Sequence, residues 1–177
     1  VYKSRASEFA DTKASVLGDY VASKLEMEEG EVPLFMTVTV DYHGYMLFFY
    51  QNGKCAKIPL ASYMTKQNRR KLLKAYSDKE ELAAMLHIEE ETELAVFTSG
   101  GTGGPRLILV GSALIPEKAT RDTAGINMVT LKKNARIAKV RPAAGLELKD
   151  PHRYRVRTLP AAGALLRQED TTEQMSL

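Results

Sequence analysis

Lysine and arginine are concentrated in two blocks of this 177-residue chain. Residues 54–76 contain seven cations and no acid, and residues 118–141 contain seven cations and a single acid. Cationic groups repeated along one face of a protein bind the phosphates of nucleic acids, largely by releasing condensed counterions. The two blocks therefore predict a binding surface for a polyanion. Its candidate residues are Lys54, Lys57, Lys66, Arg69, Arg70, Lys71, Lys74, Lys118, Arg121, Lys132, Lys133 and Arg136.

Acidic segments alternate with these basic blocks. Residues 1–32 hold seven acids against four cations, and residues 77–93 hold seven acids against one cation. We expect basic faces presented in series to the polyanion, with the acids on other faces. Solvated loops and strand edges protected by lysine would give the same charge pattern, so this second interpretation stays open.

The sequence has no arrangement typical of catalysis or metal binding. One cysteine and three scattered histidines cannot form a Cys/His zinc site from local spacing. The glycine-rich run 99–104 lacks the lysine and the following helix of a phosphate-binding loop, and we interpret it as a hairpin turn. We therefore expect no cofactor, no metal and no catalytic residue in this chain.

The composition is that of a folded domain, with 44% hydrophobic residues, 27% charged residues and a net charge of +3. The chain has no run of about 18 apolar residues and no signal-peptide pattern. We expect a cytoplasmic protein that has no contact with a membrane. The chain begins at Val1 rather than at a methionine, and we expect it to be a piece of a longer protein.

Short strands must position the basic blocks, because apolar and β-branched residues recur with period two. Asn52-Gly53 lies between two apolar runs and predicts a hairpin turn. Short helical turns are expected at 60–63 and 113–115. The predicted strands are 33–41, 45–51, 54–60, 81–88, 93–99, 106–111, 126–131 and 136–141.

A repeat of about fifty residues organises these strands. Aligning the two hairpins places Gly53 on Gly101, and a four-residue insertion at 102–105 then brings Lys66 onto Lys118 and Arg69 onto Arg121. Units of this length with about four short antiparallel strands are typical of blades stacked around an axis. We predict an all-β partial β-pinwheel or propeller of three to four blades, each a four-stranded antiparallel sheet.

The predicted blades occupy residues 1–142. Their approximate units are 1–32 (partial), 33–80 and 81–141. The remainder, 143–177, is predicted to add a strand at Arg153–Leu159, a short helix at Ala161–Arg167 and a disordered tail.

The succession LAVFTSGG at 94–101, continued as RLILVGSALIPEKATR at 106–121, resembles the C-terminal blades of the A subunits of bacterial type IIA DNA topoisomerases, gyrase and topoisomerase IV. This resemblance implies a β-pinwheel that binds duplex DNA around a basic rim and bends or wraps it. It also implies that the rest of the A subunit and the ATPase B subunit are partners in an ATP-dependent enzyme. The cleavage chemistry of that enzyme lies in other domains. The family's basic box is matched nearest by residues 67–73, which keep the arginine pair and a lysine but lack the glycines.

A β-propeller that binds protein partners through its basic faces remains the alternative. The two functions differ in salt dependence, because phosphate contacts release counterions in proportion to their number.

Overall fold

The computed structural model describes residues 1–65 and 70–170. Within these ranges the only α-helix is the single turn α1 (Val21–Lys24). The strands are β1 (Tyr45–Tyr50), β2 (Lys54–Pro59), β3 (Leu82–Ile88), β4 (Glu93–Gly100), β5 (Arg106–Gly111), β6 (Ile126–Asn127), β7 (Ala135–Pro142) and β8 (Ala164–Leu165). Short 3-10 turns lie at Ala6–Glu8, Leu60–Tyr63, Ser112–Leu114, Pro151–Arg153 and Gln168–Asp170.

The described strands form two four-stranded antiparallel sheets with the same order. The first is β3-β1-β2-β6 and the second is β7-β4-β5-β8. In each sheet a hairpin is flanked by a long later strand on one side, β3 or β7, and by a two-residue later strand on the other, β6 or β8. The first sheet therefore takes β6 from the chain that follows the second hairpin, and the fold class predicted from the repeat is confirmed.

The repeat is also visible in the strand register. Pairing shifts between Phe49 and Tyr50 in the first sheet and between Phe97 and Thr98 in the second, and the offset between these shifts equals that between Gly53 and Gly101. Both glycines lie in the hairpin turns with positive φ, at 89° and 78°. The predicted hairpins and their alignment are confirmed.

The core lies on both faces of the sheets, because side chains alternate between the two faces along each strand. Successive residues of a strand point to opposite faces, so Leu47 and Phe49 face the main cluster. Phe48 and Tyr50 face a second cluster, which includes Leu60, Tyr63, Leu72 and Ala75. On the second sheet the outer face packs against Tyr154 and the chain around it. Six residues of the main cluster have no exposed surface: Leu47, Phe49, Val96, Ile108, Val110 and Met128.

Two glycines allow the short edge strands to reach the hairpins. A Cβ on Gly125 would lie 1.9 Å from the carbonyl oxygen of Cys55, and one on Gly163 would lie 2.9 Å from that of Leu107. Each glycine directly precedes its strand, β6 or β8, which then pairs with the start of β2 or β5. A side chain at either position would force the edge strand away from its sheet.

The strand predicted at 33–41 is absent from the structure. Residues 33–39 have no assigned secondary structure, although their sequence alternates as β3 does. A strand needs a backbone partner, and β3 has β1, whereas the described residues offer none to this segment. Its apolar side chains are therefore exposed: Leu34 at 65%, Met36 at 62% and Val38 at 71%.

The secondary structure predicted for the C-terminal residues 153–167 was also wrong. The predicted strand at Arg153–Leu159 is reduced to one parallel bridge between Arg155 and Leu109. The predicted helix at Ala161–Arg167 is replaced by β8, because its backbone pairs with Arg106 and Leu107 at the edge of the second sheet. The tail predicted to be disordered falls at 171–177, outside the described residues.

Candidate nucleic-acid interface

The two hairpin turns are bridged by the chain between β6 and β7, at the end of the blades that we call the turn end. The backbone N–H of Met128 donates to the carbonyl of Gly53, and that of Ile137 donates to the carbonyl of Gln51. The same stretch of chain also contacts the second hairpin turn, where Thr102 donates its N–H to the carbonyl of Lys133 at 3.3 Å. The segment joining β6 to β7 is thus stretched across both turns.

A group of four cations, the turn-end cluster, lies on this segment and on the strands β2 and β7 beside it: Lys54, Lys132, Lys133 and Arg136. The last three are exposed, and within residues 1–65 and 70–170 none of them is paired with a carboxylate. Lys54 has one distant ion pair, at 3.8 Å from Glu80. Three positive charges are therefore free to meet an anionic ligand at the turn end.

The opposite end, the hook end, is built on the 3-10 turn Leu60–Tyr63. Arg121 donates to the carbonyl of Ser62 at 2.9 Å, and its guanidinium lies 5.8 Å from the centre of the Tyr63 ring. Lys74 and Arg121 line a shallow cleft beside Ser62. Six residues of β1 separate the two ends, a span of about 20 Å. The structure therefore divides the predicted site into two clusters.

The hook-end cluster comprises Arg70, Lys71, Lys74 and Arg121, and glutamates from the N-terminal segment hold two of its members. Glu26 lies 3.3 Å from the Arg70 guanidinium. The Lys71 ammonium contacts Glu28 at 2.5 Å and Glu31 at 2.9 Å. Hydrogen bonds from Tyr2, Lys71 and the Glu28 backbone lower the pKa of Glu31 to about 2. The acids of residues 1–32 were predicted to lie on other faces, whereas three of them, Glu26, Glu28 and Glu31, contact this cluster.

Lys57 is placed differently from the other candidates. Only 2% of it is exposed, its ammonium is paired with Glu91, and the same ammonium lies 4.2 Å from the centre of the Tyr45 ring. Burial disfavours ionisation of Glu91, but hydrogen bonds from Lys57 and Ser112 outweigh it and lower the pKa of this carboxyl. Lys57 joins β2 to the turn between β3 and β4, and we leave it out of the proposed interface. The sequence held a signal, because period-two alternation puts Lys57 on the same strand face as Cys55, a buried core residue.

Three predicted DNA-binding residues remain to be placed: Lys66, Arg69 and Lys118. Lys118 is half-buried beside β2, where its N–H donates to the carbonyl of Lys57 at 2.9 Å. Lys66 and Arg69, which the repeat alignment paired with Lys118 and Arg121, lie outside the described residues.

No other chemistry emerges from the part of the chain that the structure describes. It contains no group of histidine, cysteine, aspartate or glutamate side chains arranged to hold a metal ion. The glycine-rich run 99–104 forms the end of β4 and the turn that leads to β5, as predicted. None of the described helices has the length and apolar character needed to cross a membrane.

Solved structures share this arrangement of blades. The chain is similar to the C-terminal domain of DNA topoisomerase IV, with a TM-score of 0.67 and 18% identity over 90% of this chain and 53% of that one. It is also similar to the E. coli ParC C-terminal domain, with a TM-score of 0.58 and 11% identity over 87% of this chain and 68% of that one. The DNA gyrase A C-terminal domain gives a TM-score of 0.52 and 14% identity over 71% of this chain and 44% of that one.

The chain has the β-pinwheel fold of these C-terminal domains. It spans about half the length of the topoisomerase IV domain. No family model matches the sequence, and no curated protein matches it either. The fold expected from the resemblance of residues 94–121 is therefore confirmed by structure alone.

Proposed function

We propose that this chain binds duplex DNA as a non-catalytic module of a type IIA topoisomerase A subunit. The observation that carries the proposal is the turn-end cluster, where Lys132, Lys133 and Arg136 project from a segment stretched across both hairpin turns with no described carboxylate beside them. Cations of this kind contact phosphates and carry little base information. The β-pinwheel fold supports the same proposal.

Bending follows from the geometry in this proposal. Blades stacked around an axis present their turn ends along an arc, and a duplex that follows phosphate contacts on an arc must curve. Any sequence preference would then come from the deformability of the DNA rather than from base contacts. In the complete enzyme the module would act beside the rest of the A subunit and the ATPase B subunit, in the cytoplasm with the nucleoid.

The test is the salt dependence of binding to a fluorescently labelled duplex, followed by anisotropy. Contacts with three to five phosphates predict that log affinity falls against log salt with a slope of about −3 to −4.5. The dissociation constant should lie at about 10⁻⁴–10⁻⁶ M at physiological salt, the range of non-specific sites. A slope near zero would exclude phosphate contacts as the source of affinity.

A protein-interaction module is the second candidate, and the exposed segment 33–40 favours it. Leu34, Met36 and Val38 are more than 60% exposed on a chain that alternates like a strand. Such a segment can add to the sheet of a protein partner. Under this alternative the affinity for DNA is lost, and a slope near zero is the expected result.

A further inference from the structure

We propose that the N-terminal acidic segment, residues 26–31, is an intramolecular competitor of DNA for the hook-end cluster. This inference rests on the proposed function, because it concerns whether the hook-end cations can also bind DNA phosphates. In the folded chain, Arg70 and Lys71 already have carboxylate partners that occupy the positions a phosphate oxygen would take. DNA must displace these glutamates before it can use the hook end.

The first residues of the chain pair with the backbone beside Arg70 and Lys71, and Tyr2 in turn holds the acidic segment. Tyr2 forms an antiparallel bridge with Lys71, and the N–H of Lys3 donates to the carbonyl of Arg70 at 2.8 Å. The Tyr2 hydroxyl donates to the carboxylate of Glu31, and the Lys71 ammonium lies 5.4 Å from the Tyr2 ring centre. The glutamates are thus held beside the cations instead of moving freely in solvent.

The ion pairs are partly open to solvent, which makes exchange with an external anion possible. The Arg70 side chain is 57% exposed and that of Glu26 is 77% exposed. Lys71 is 27% exposed and Glu28 is 72% exposed. Exposed pairs are weak and are screened by salt, so a phosphate chain that releases counterions can replace the carboxylates.

Hydrogen bonding widens the pH range over which Lys71 and Glu31 both carry their charges. Contacts with Glu28 and Glu31 raise the pKa of the Lys71 ammonium, so that the lysine stays charged. The lowered pKa of Glu31 keeps its carboxylate ionised until the pH falls towards 2. Both partners are therefore charged wherever DNA binding is measured.

The experiment removes the competing charges without changing side-chain shape. The double variant Glu28→Gln and Glu31→Gln frees Lys71, and we expect a roughly 3- to 10-fold higher affinity for duplex DNA at low salt. The salt slope should become steeper by about one unit, since one further phosphate is engaged. The matched control is Glu89→Gln with Glu90→Gln, which changes the net charge equally at an exposed turn whose carboxylates do not pair with Arg70 or Lys71.

Each outcome decides between the two proposals. If both double variants gain the same affinity and keep the wild-type slope, only net charge matters and the competition is excluded. If the wild-type chain binds DNA and Glu28→Gln with Glu31→Gln changes nothing, this inference fails while the proposed function stands. If no chain binds DNA, the proposed function itself fails. Should the double variant not fold, Glu26→Gln tests the same point at an exposed pair, with about a 2-fold gain expected and no gain contradicting the inference.

Discussion

The two ends of the blades carry comparable positive charge, but they differ in whether carboxylates of the protein pair with the cations. At the turn end, Lys132, Lys133 and Arg136 stand on an exposed segment without a described carboxylate partner. At the hook end, Arg70 and Lys71 are engaged by glutamates that arrive from the far N-terminal part of the chain. Residues 54–76 form the more strongly charged block of the sequence, but part of their charge is already neutralised by glutamates and is less accessible to DNA. Local cation density measures the charge that is present, whereas tertiary contacts decide how much of it a ligand can use.

Removing the turn-end charges should have the largest effect on DNA binding. The triple variant Lys132→Ala, Lys133→Ala and Arg136→Ala is expected to lower the affinity for DNA at least about 10-fold at low salt. The salt slope should fall by about 2–3 units, because fewer counterions leave the DNA when three cations are missing from the protein. Fluorescence anisotropy over a salt series measures both quantities. Far-ultraviolet circular dichroism should stay unchanged, since these side chains are exposed.

The matched control for this variant removes three cations from the other end. Arg70→Ala, Lys71→Ala and Lys74→Ala lowers the net charge by the same amount, and we expect a loss of less than about 3-fold because carboxylates already hold two of the cations. Equal losses from the two triple variants would show that net charge, and not the position of the cluster, controls binding.

Lys57 sharpens the comparison, because it is a lysine of the first basic block with a different role. The substitution Lys57→Met keeps most of the side-chain volume but leaves Glu91 without its ammonium partner. We expect the free energy of unfolding to fall by about 1–3 kcal/mol, with less than a 2-fold change in DNA affinity. Chemical denaturation measures the first quantity, and Lys133→Ala is the control, expected within about 0.5 kcal/mol of the parent. A stable Lys57→Met chain with weakened DNA binding would place Lys57 back in the interface.

These contrasts explain which features the sequence could predict. Hairpins are local, so the turn at Asn52-Gly53 and the alternation of Leu47 and Phe49 were sufficient to predict the hairpin of β1 and β2. The strand predicted at 33–41 failed because pairing is non-local, and a suitable alternation does not supply a partner strand. The edge strand β8 was missed although Ala162-Gly163-Ala164 repeats the pattern of Ala124-Gly125-Ile126.

The candidate site was predicted in composition but not in arrangement. Its residue types follow directly from the charge pattern. The separation into two ends depends on where the chain between β6 and β7 crosses the hairpin turns. The engagement of Arg70 and Lys71 depends on a contact with glutamates of residues 26–31, which lie well before them in the sequence. Neither is encoded in the spacing of the cations.

The most direct test of the central claim is to map the DNA contact by the chemical shifts of backbone amides during titration with a short duplex. We predict that residues 101–104 and 131–136 shift first, at the lowest DNA concentrations, while residues 70–72 and 26–31 shift later or less. This order follows if phosphates meet the free turn-end cations before they displace the glutamates. Shifts that begin at residues 70–72 and leave 131–136 unchanged would contradict the claim that the turn end is the primary DNA-binding surface.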